Sequence, residues 1–260
     1  MKKKYYIALQ LLYIECMMEL HVKGICDTGL VRKVNQDKLL MDGEIFTNGQ
    51  KEISVKTDQT RAFAVADGMG GHKAGDVASA VVLESFSLFA RQDKKLPDFD
   101  SFRQDIFQWT ESITRQLETM GNKNVNLRGM GTTLTGIIVD TDKSFIFNAG
   151  DSRIYHYREQ QLKQLTTDHS LANVTGNSYA PSNLLVNSIG GGQESYVDVE
   201  DISNLLQKDD LLIICSDGLT DMLSDEQIQS FCDPLNTSKM VDQAKENGGR
   251  DNISVITISF

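Results

Sequence analysis

Apolar positions along the chain fall into two kinds of pattern. Short runs of apolar and β-branched residues, too brief for helices, recur at 62–66, 145–147 and 211–215, and each leads into a carboxylate beside a small residue: Asp67-Gly68, Gly150-Asp151 and Asp217-Gly218. A rigid strand that delivers an aspartate at its tip, with glycine permitting close backbone approach, can aim several carboxylates at one point. Further strands are predicted at 133–140, at 153–158 turning through Glu159-Gln160-Gln161, and at 253–260, where alternation and β-branching are plain. Helical spacing marks 74–91, where Ala78, Val81, Val82, Ser85, Phe86 and Phe89 share a face. It also marks 99–120, with Phe102, Ile106, Trp109, Ile113 and Leu117. Strand runs interleaved with two long helices, and hairpin-like spacing late in the chain, predict an α+β arrangement with antiparallel sheets rather than a parallel doubly wound one.

No repeat and no Pro/Ser/Gly linker divides the chain, so one domain is expected over 19–260. Before it, Met1-Lys2-Lys3-Lys4 and the apolar residues after them have the outline of a secretion signal. Gln10 and Glu15 interrupt that outline and no small-x-small cleavage site follows. The segment 1–18 therefore reads as an N-terminal extension or a helix packed on the domain, with Met17 and Met18 as alternative starts.

Composition narrows the function classes. Among 260 residues, 26 are basic and 36 acidic, a net charge of −10, which argues against a nucleic-acid partner. A hydrophobic fraction of 40% with only three prolines is ample for a packed core, and no apolar run reaches the length of a membrane span. The four cysteines, Cys16, Cys26, Cys215 and Cys232, form no C-x-x-C pair, so a reducing cytoplasm is expected, with Cys26 and Cys215 as buried packing residues.

Gly68-Met69-Gly70-Gly71-His72-Lys73-Ala74-Gly75 invites a nucleotide reading that fails at its decisive positions. A dinucleotide fingerprint needs glycine where Lys73 stands, and the phosphate-loop pattern from Gly70 to Gly75 continues with Asp76-Val77 instead of Lys-Ser/Thr. Gly-x-Ser-x-Gly and His-Glu-x-x-His are both lacking. What stands out instead is a set of aspartates, Asp37, Asp67, Asp151, Asp217, Asp221 and Asp251. With four histidines and no zinc-like pair among them, oxygen ligands and a hard ion such as magnesium or manganese are expected.

Seven blocks, in order, carry a family resemblance. They are Arg32-Lys33-Val34-Asn35-Gln36-Asp37, Asp67-Gly68-Met69-Gly70-Gly71-His72, Gly129-Met130-Gly131-Thr132-Thr133, Gly150-Asp151-Ser152-Arg153, Asp168-His169-Ser170, Cys215-Ser216-Asp217-Gly218-Leu219-Thr220 and Gly249-Arg250-Asp251-Asn252. The chain closely resembles the metal-dependent serine/threonine protein phosphatases of type 2C, the PPM family, in their bacterial form. The resemblance implies a central sandwich of two antiparallel β-sheets flanked by helical layers (αββα).

It also implies two divalent ions, manganese or magnesium. Asp67 would bridge them, the Gly68 carbonyl would contact one, and Asp217 and Asp251 would complete the other, with Asp37 holding metal-bound waters. A third, weaker ion would sit at Asp151 and Asp217, with Asp221 as a helper. Asp151 has a second reading, as a residue that caps or pins the turn between two strands by pairing with Arg153 or with backbone donors. A water shared between two ions would attack phosphorus in line, with no covalent phosphoenzyme. Arg32 would bind the phosphate through its planar fork.

Two departures from the family bear on chemistry. Met69 stands where many eukaryotic relatives place a proton-donating histidine, and His72 either assists or closes the turn. Between Ser170 and Ser188 the family's flap is shortened near 171–187, and its following basic block is replaced by Ser188-Ile189-Gly190-Gly191-Gly192, which predicts weaker binding of the third ion. The implied enzyme hydrolyses phosphoserine and phosphothreonine in proteins, opposing a bacterial serine/threonine kinase, as a cytoplasmic monomer without membrane or nucleic-acid partners. The competing reading is a catalytically silent phosphatase-like module that binds regulatory partners. Retention of Arg32, Asp67, Asp217 and Asp251 favours the enzyme.

Overall fold

Alternating burial lays out the first strands. In β1 (Glu19–Asp27), Leu20 and Val22 point inward between exposed His21 and half-buried Lys23. β2 (Lys38–Met41), β3 (Glu44–Phe46), β4 (Gly49–Lys56), β5 (Arg61–Ala66) and the two-residue β6 (Gly68–Met69) follow. Then come α1 (Ala74–Ala90) and α2 (Phe99–Lys123), the latter started by Asp98, whose side chain accepts from the Ser101 backbone N–H. The middle of the chain supplies β7 (Gly131–Thr132), β8 (Leu134–Val139), β9 (Ser144–Ala149), β10 (Arg153–Arg158), β11 (Gln161–Gln164) and α3 (Leu171–Thr175). The last part holds β12 (Ile189–Gly190), β13 (Asp198–Asp201), β14 (Leu211–Cys215), α4 (Asp217–Thr220), α5 (Asp225–Gln229), α6 (Thr237–Glu246) and β15 (Ile253–Ser259). The computed structural model describes residues 18–70, 73–91, 95–176, 184–192, 194–233 and 235–260. The expected N-terminal extension, save Met18, lies outside them, as do Cys16, His72 and flap residues 177–183.

Two six-stranded antiparallel sheets result, ordered β11-β10-β14-β15-β1-β4 and β13-β9-β8-β5-β2-β3, with a small third sheet β12-β7-β6. Their stacking follows from period-two alternation. Phe63 and Val65 of β5 face Leu212, Ile214, Ile256 and Ile258 of the other sheet, and these fully buried residues form the core between the sheets. The intervening Ala62, Ala64 and Ala66 face outward, and their small side chains let α1 and α2 pack close through Ala78, Val82, Phe86, Phe102 and Ile106. On the opposite outer face Ile213, Cys215 and Val255 receive Leu219, Ile228, Met240 and Val241 from α4 to α6. The expected helix–sheet–sheet–helix layering is therefore present.

The aromatic stripes are core, as their spacing predicts. Trp109 packs edge-on against Phe86 at 5.5 Å between ring centroids, and its Nε1 donates to Ser85 Oγ at 3.0 Å, tying α2 to α1. The strands β1 to β4 and β13 and the helices α5 and α6 carried no expectation from pattern. β4, Gly-Gln-Lys-Glu-Ile-Ser-Val-Lys, lies at a sheet edge and has only two apolar side chains, Ile53 and Val55, so it lacks the apolar content that marks a strand. Among the described residues no helix is long and apolar enough to cross a membrane.

Candidate active site and metal centre

The ends of β5, β9 and β14, the start of β15 and the chain leading into β2 meet at one edge of the sandwich. Asp67 follows β5 directly, and its backbone is clamped from both sides. Its N–H donates to Thr133 Oγ1 at 2.9 Å, and its carbonyl accepts from the Thr133 N–H and the Thr132 hydroxyl, both at 2.8 Å. At Gly68 a Cβ would lie 2.2 Å from the Gly75 carbonyl oxygen, so only glycine lets the first turn of α1 close on this strand end.

Asp217 is placed differently from expectation: it is not a strand tip but the first residue of α4, one residue past Ser216. Gly218 next to it packs its backbone on Asn252, where a Cβ would stand 1.9 Å from the carbonyl oxygen. That contact holds Asp217 beside Asp251. Asn252 then fastens the approach to Asp37. Its side chain donates to the Thr28 and Val34 carbonyls at 2.9 and 3.2 Å and accepts from the Gln36 N–H at 2.8 Å.

Five carboxylates share this space, and their electrostatics show it. Burial first, then the charges of Asp37, Asp217, Asp151 and Asp251, push the Asp67 carboxyl well above the usual carboxylate range. Asp217 is raised in the same direction by burial and by Asp151, Asp221, Asp37 and Asp251. Asp37, with no exposed surface, is pushed up to about 6 by burial, against the lowering effect of the Ser216 hydroxyl, which donates to its Oδ2 at 2.8 Å. Asp151 is also raised to about 6, chiefly by burial and then by Asp168 and Asp221. Asp221 is exposed, and its smaller upward shift comes from partial burial and Asp251, opposed by Arg153 and Arg250.

At the rim Arg32 spans both oxygens of Asp251, Nε to Oδ1 at 2.9 Å and Nη2 to Oδ2 at 2.5 Å. This pairing, with further attraction from Asp67 and Asp217, holds its proton more tightly than usual. Arg153 pairs with Asp168, its Nε and Nη2 at 2.7 to 3.0 Å from the carboxylate oxygens, and not with Asp151, whose carboxylate is steadied by its own backbone N–H. Met69 packs toward Gly131 and Gly191 and offers no titratable proton.

The donor set fits hard divalent ions. Oδ1 of Asp37 and Oδ1 of Asp217 are buried without a hydrogen-bond partner, a costly state for carboxylates unless cations neutralise them. Among the described residues no three acidic, histidine or cysteine side chains converge as a ready-made cage. Magnesium and manganese do not require one, since magnesium in particular keeps several waters and takes one or two carboxylates. Ser216, Asn252 and Thr133, which position the aspartates, drew no role from sequence reasoning. All three lie inside the motif blocks, next to a named aspartate or at the end of the facing strand, which is the clue that could have singled them out.

Comparison with known proteins gives this geometry a family. The profile described as Protein phosphatase 2C matches residues 34–252. The serine/threonine phosphatase stp of Listeria innocua is 30% identical over 254 residues, covering 92% of this chain and 95% of that protein. Among solved structures, the S. agalactiae serine/threonine phosphatase superposes with a TM-score of 0.77 at 29% identity, covering 92% of this chain and 99% of the other. The catalytic domain of the serine/threonine protein phosphatase PstP, in complex with two manganese ions, gives 0.71 at 26% identity, covering 93% and 99%. With the layered fold, the gathered aspartates and matches running nearly end to end, this chain belongs to the protein phosphatase 2C family.

Proposed function

We propose that this protein removes phosphoryl groups from phosphoserine and phosphothreonine in other proteins, using two divalent ions, manganese or magnesium, held by Asp67, the Gly68 carbonyl, Asp217 and Asp251. The observation behind this reading is the pair of buried, unpartnered oxygens on Asp37 and Asp217 inside a cluster of five aspartates. When bound, such ions supply a nucleophile from water near neutral pH and neutralise the phosphoryl oxygens.

This chain's own residues do the positioning. Asp37, buried and oriented by Ser216, would hold water bound to the ions. Arg32 binds phosphate: its fork already spans two oxygens of one carboxylate, the same bidentate arrangement that two phosphate oxygens present. Asp151 and Asp217, with Asp221 nearby, take a third and weaker ion. The protein works in the cytoplasm as a monomer, on the targets of a serine/threonine kinase, through a domain spanning 19–260.

Metal-stripped protein is expected to leave a phosphothreonine peptide intact, to hydrolyse it when manganese or magnesium is added, and to lose that activity in Asp217→Asn. A folded, metal-loaded protein that turns over neither this peptide nor an aryl phosphate would replace the enzyme with a binding module.

A further inference from the structure

Three exposed large hydrophobic residues stand within five positions of one another and flank Arg32 in the sequence. Leu30 is 63% exposed, Val31 65% and Val34 43%. The backbone beneath them is fixed. The Leu30 N–H donates to the Gly249 carbonyl at 2.8 Å, the Gly29 N–H to Asp27 Oδ1 at 2.8 Å, and Asn252 holds the Thr28 and Val34 carbonyls from below. Gly29 supports this path with φ of 76°, its Cα so close to the Asp251 carbonyl that a Cβ would lie 2.1 Å from the oxygen. A loop pinned at these points cannot turn its aliphatic side chains into the core. They stay exposed on the same loop as Arg32, with Leu30 over the Gly249 backbone two residues before the Asp251 that Arg32 grips, and neighbouring exposed apolar residues of this kind can form a contact site.

We propose that Leu30, Val31 and Val34 form an apolar shelf that receives an aliphatic or aromatic side chain adjacent to the phosphoresidue of a protein substrate. The inference rests on the phosphatase reading above, because that reading places the phosphate at Arg32. Its occupant follows from continuity with that site. Successive Cα atoms lie about 3.8 Å apart, so a residue one or two positions from the phosphoresidue falls within the reach of side chains one or two positions from Arg32. An open shelf covers part of a side chain, so the preference it gives is moderate, about five- to tenfold, below that of a closed hydrophobic pocket distinguishing larger groups.

The test compares two phosphothreonine peptides, with leucine or serine on both sides of the phosphothreonine, and an aryl phosphate that carries no flanking residue. Manganese-loaded wild-type protein is expected to favour the leucine peptide about five- to tenfold in kcat/KM, chiefly through KM. Leu30→Ser/Val31→Ser, and separately Val34→Ser, are expected to reduce this preference while leaving aryl phosphate hydrolysis unchanged. Equal use of both peptides by the wild type, or a preference that survives in both variants, would overturn the shelf. So would a wild-type dimer that the double variant dissolves, since a second copy would then be the occupant. Failure of the wild type on all three substrates would instead remove the phosphatase reading.

Discussion

Asp37 shows how a single residue is prepared for work at this site. Its carboxylate has no exposed surface; one oxygen takes the Ser216 hydroxyl and the other has no partner. Ser216 is in turn held by the Ser254 N–H at 3.0 Å, so the hydroxyl has one remaining direction in which to donate, toward Asp37. Ser216→Ala removes that donor and leaves a buried charge poorer by one bond. Urea unfolding of metal-stripped protein is expected to show a loss of about 1–3 kcal/mol, and a change below about 0.5 kcal/mol would mean that the carboxylate is not held this way. The aspartates themselves were legible in the sequence because each stands in a distinctive motif. Ser216 and Asn252 were not, since a small polar residue beside an aspartate reads as an ordinary turn until its partner from a distant strand is known.

At the scale of elements, the site depends on strand ends brought together by close backbone contact. β14 and β15 are paired neighbours in one sheet, and Gly218 and Asn252 extend that pairing beyond the hydrogen-bonded ladder. Gly218→Ala drives a methyl group into a carbonyl oxygen and is expected to push α4 away from the Asp251 turn. The expected cost is about 3 kcal/mol of stability, together with weaker manganese binding in calorimetry. Unchanged manganese affinity in a folded variant would show that this contact does not set the distance between Asp217 and Asp251. The strands ending near Asp67 and Asp151 were legible because dense apolar runs stop there. β4 and the short helices α5 and α6 were not. A charged edge strand and brief helices with only a few buried residues take their structure from what they pack against, and local pattern holds little of that.

Across the whole molecule, period-two alternation sorts side chains into a core between the sheets and two outer layers under the helices. The layering was therefore implicit in the sequence, while the strand order β13-β9-β8-β5-β2-β3 was not, because it joins segments far apart in the chain. The same stacking places several buried carboxylates at one edge, where their mutual repulsion opposes folding until cations arrive. Ligand that binds only the folded state stabilises it by about 2.7 kcal/mol at a hundredfold excess over Kd, so manganese is expected to raise the melting temperature of metal-stripped protein. The central claim is that the aspartate cluster is a two-ion centre. Its most direct test is a calorimetric manganese titration of metal-stripped protein at neutral pH, run in parallel on Asp217→Asn with its fold verified by circular dichroism. The account predicts tight uptake of two ions by the wild type, ahead of any weaker third, and the loss of at least one of the two in the variant. Two ions bound equally by both proteins would contradict it.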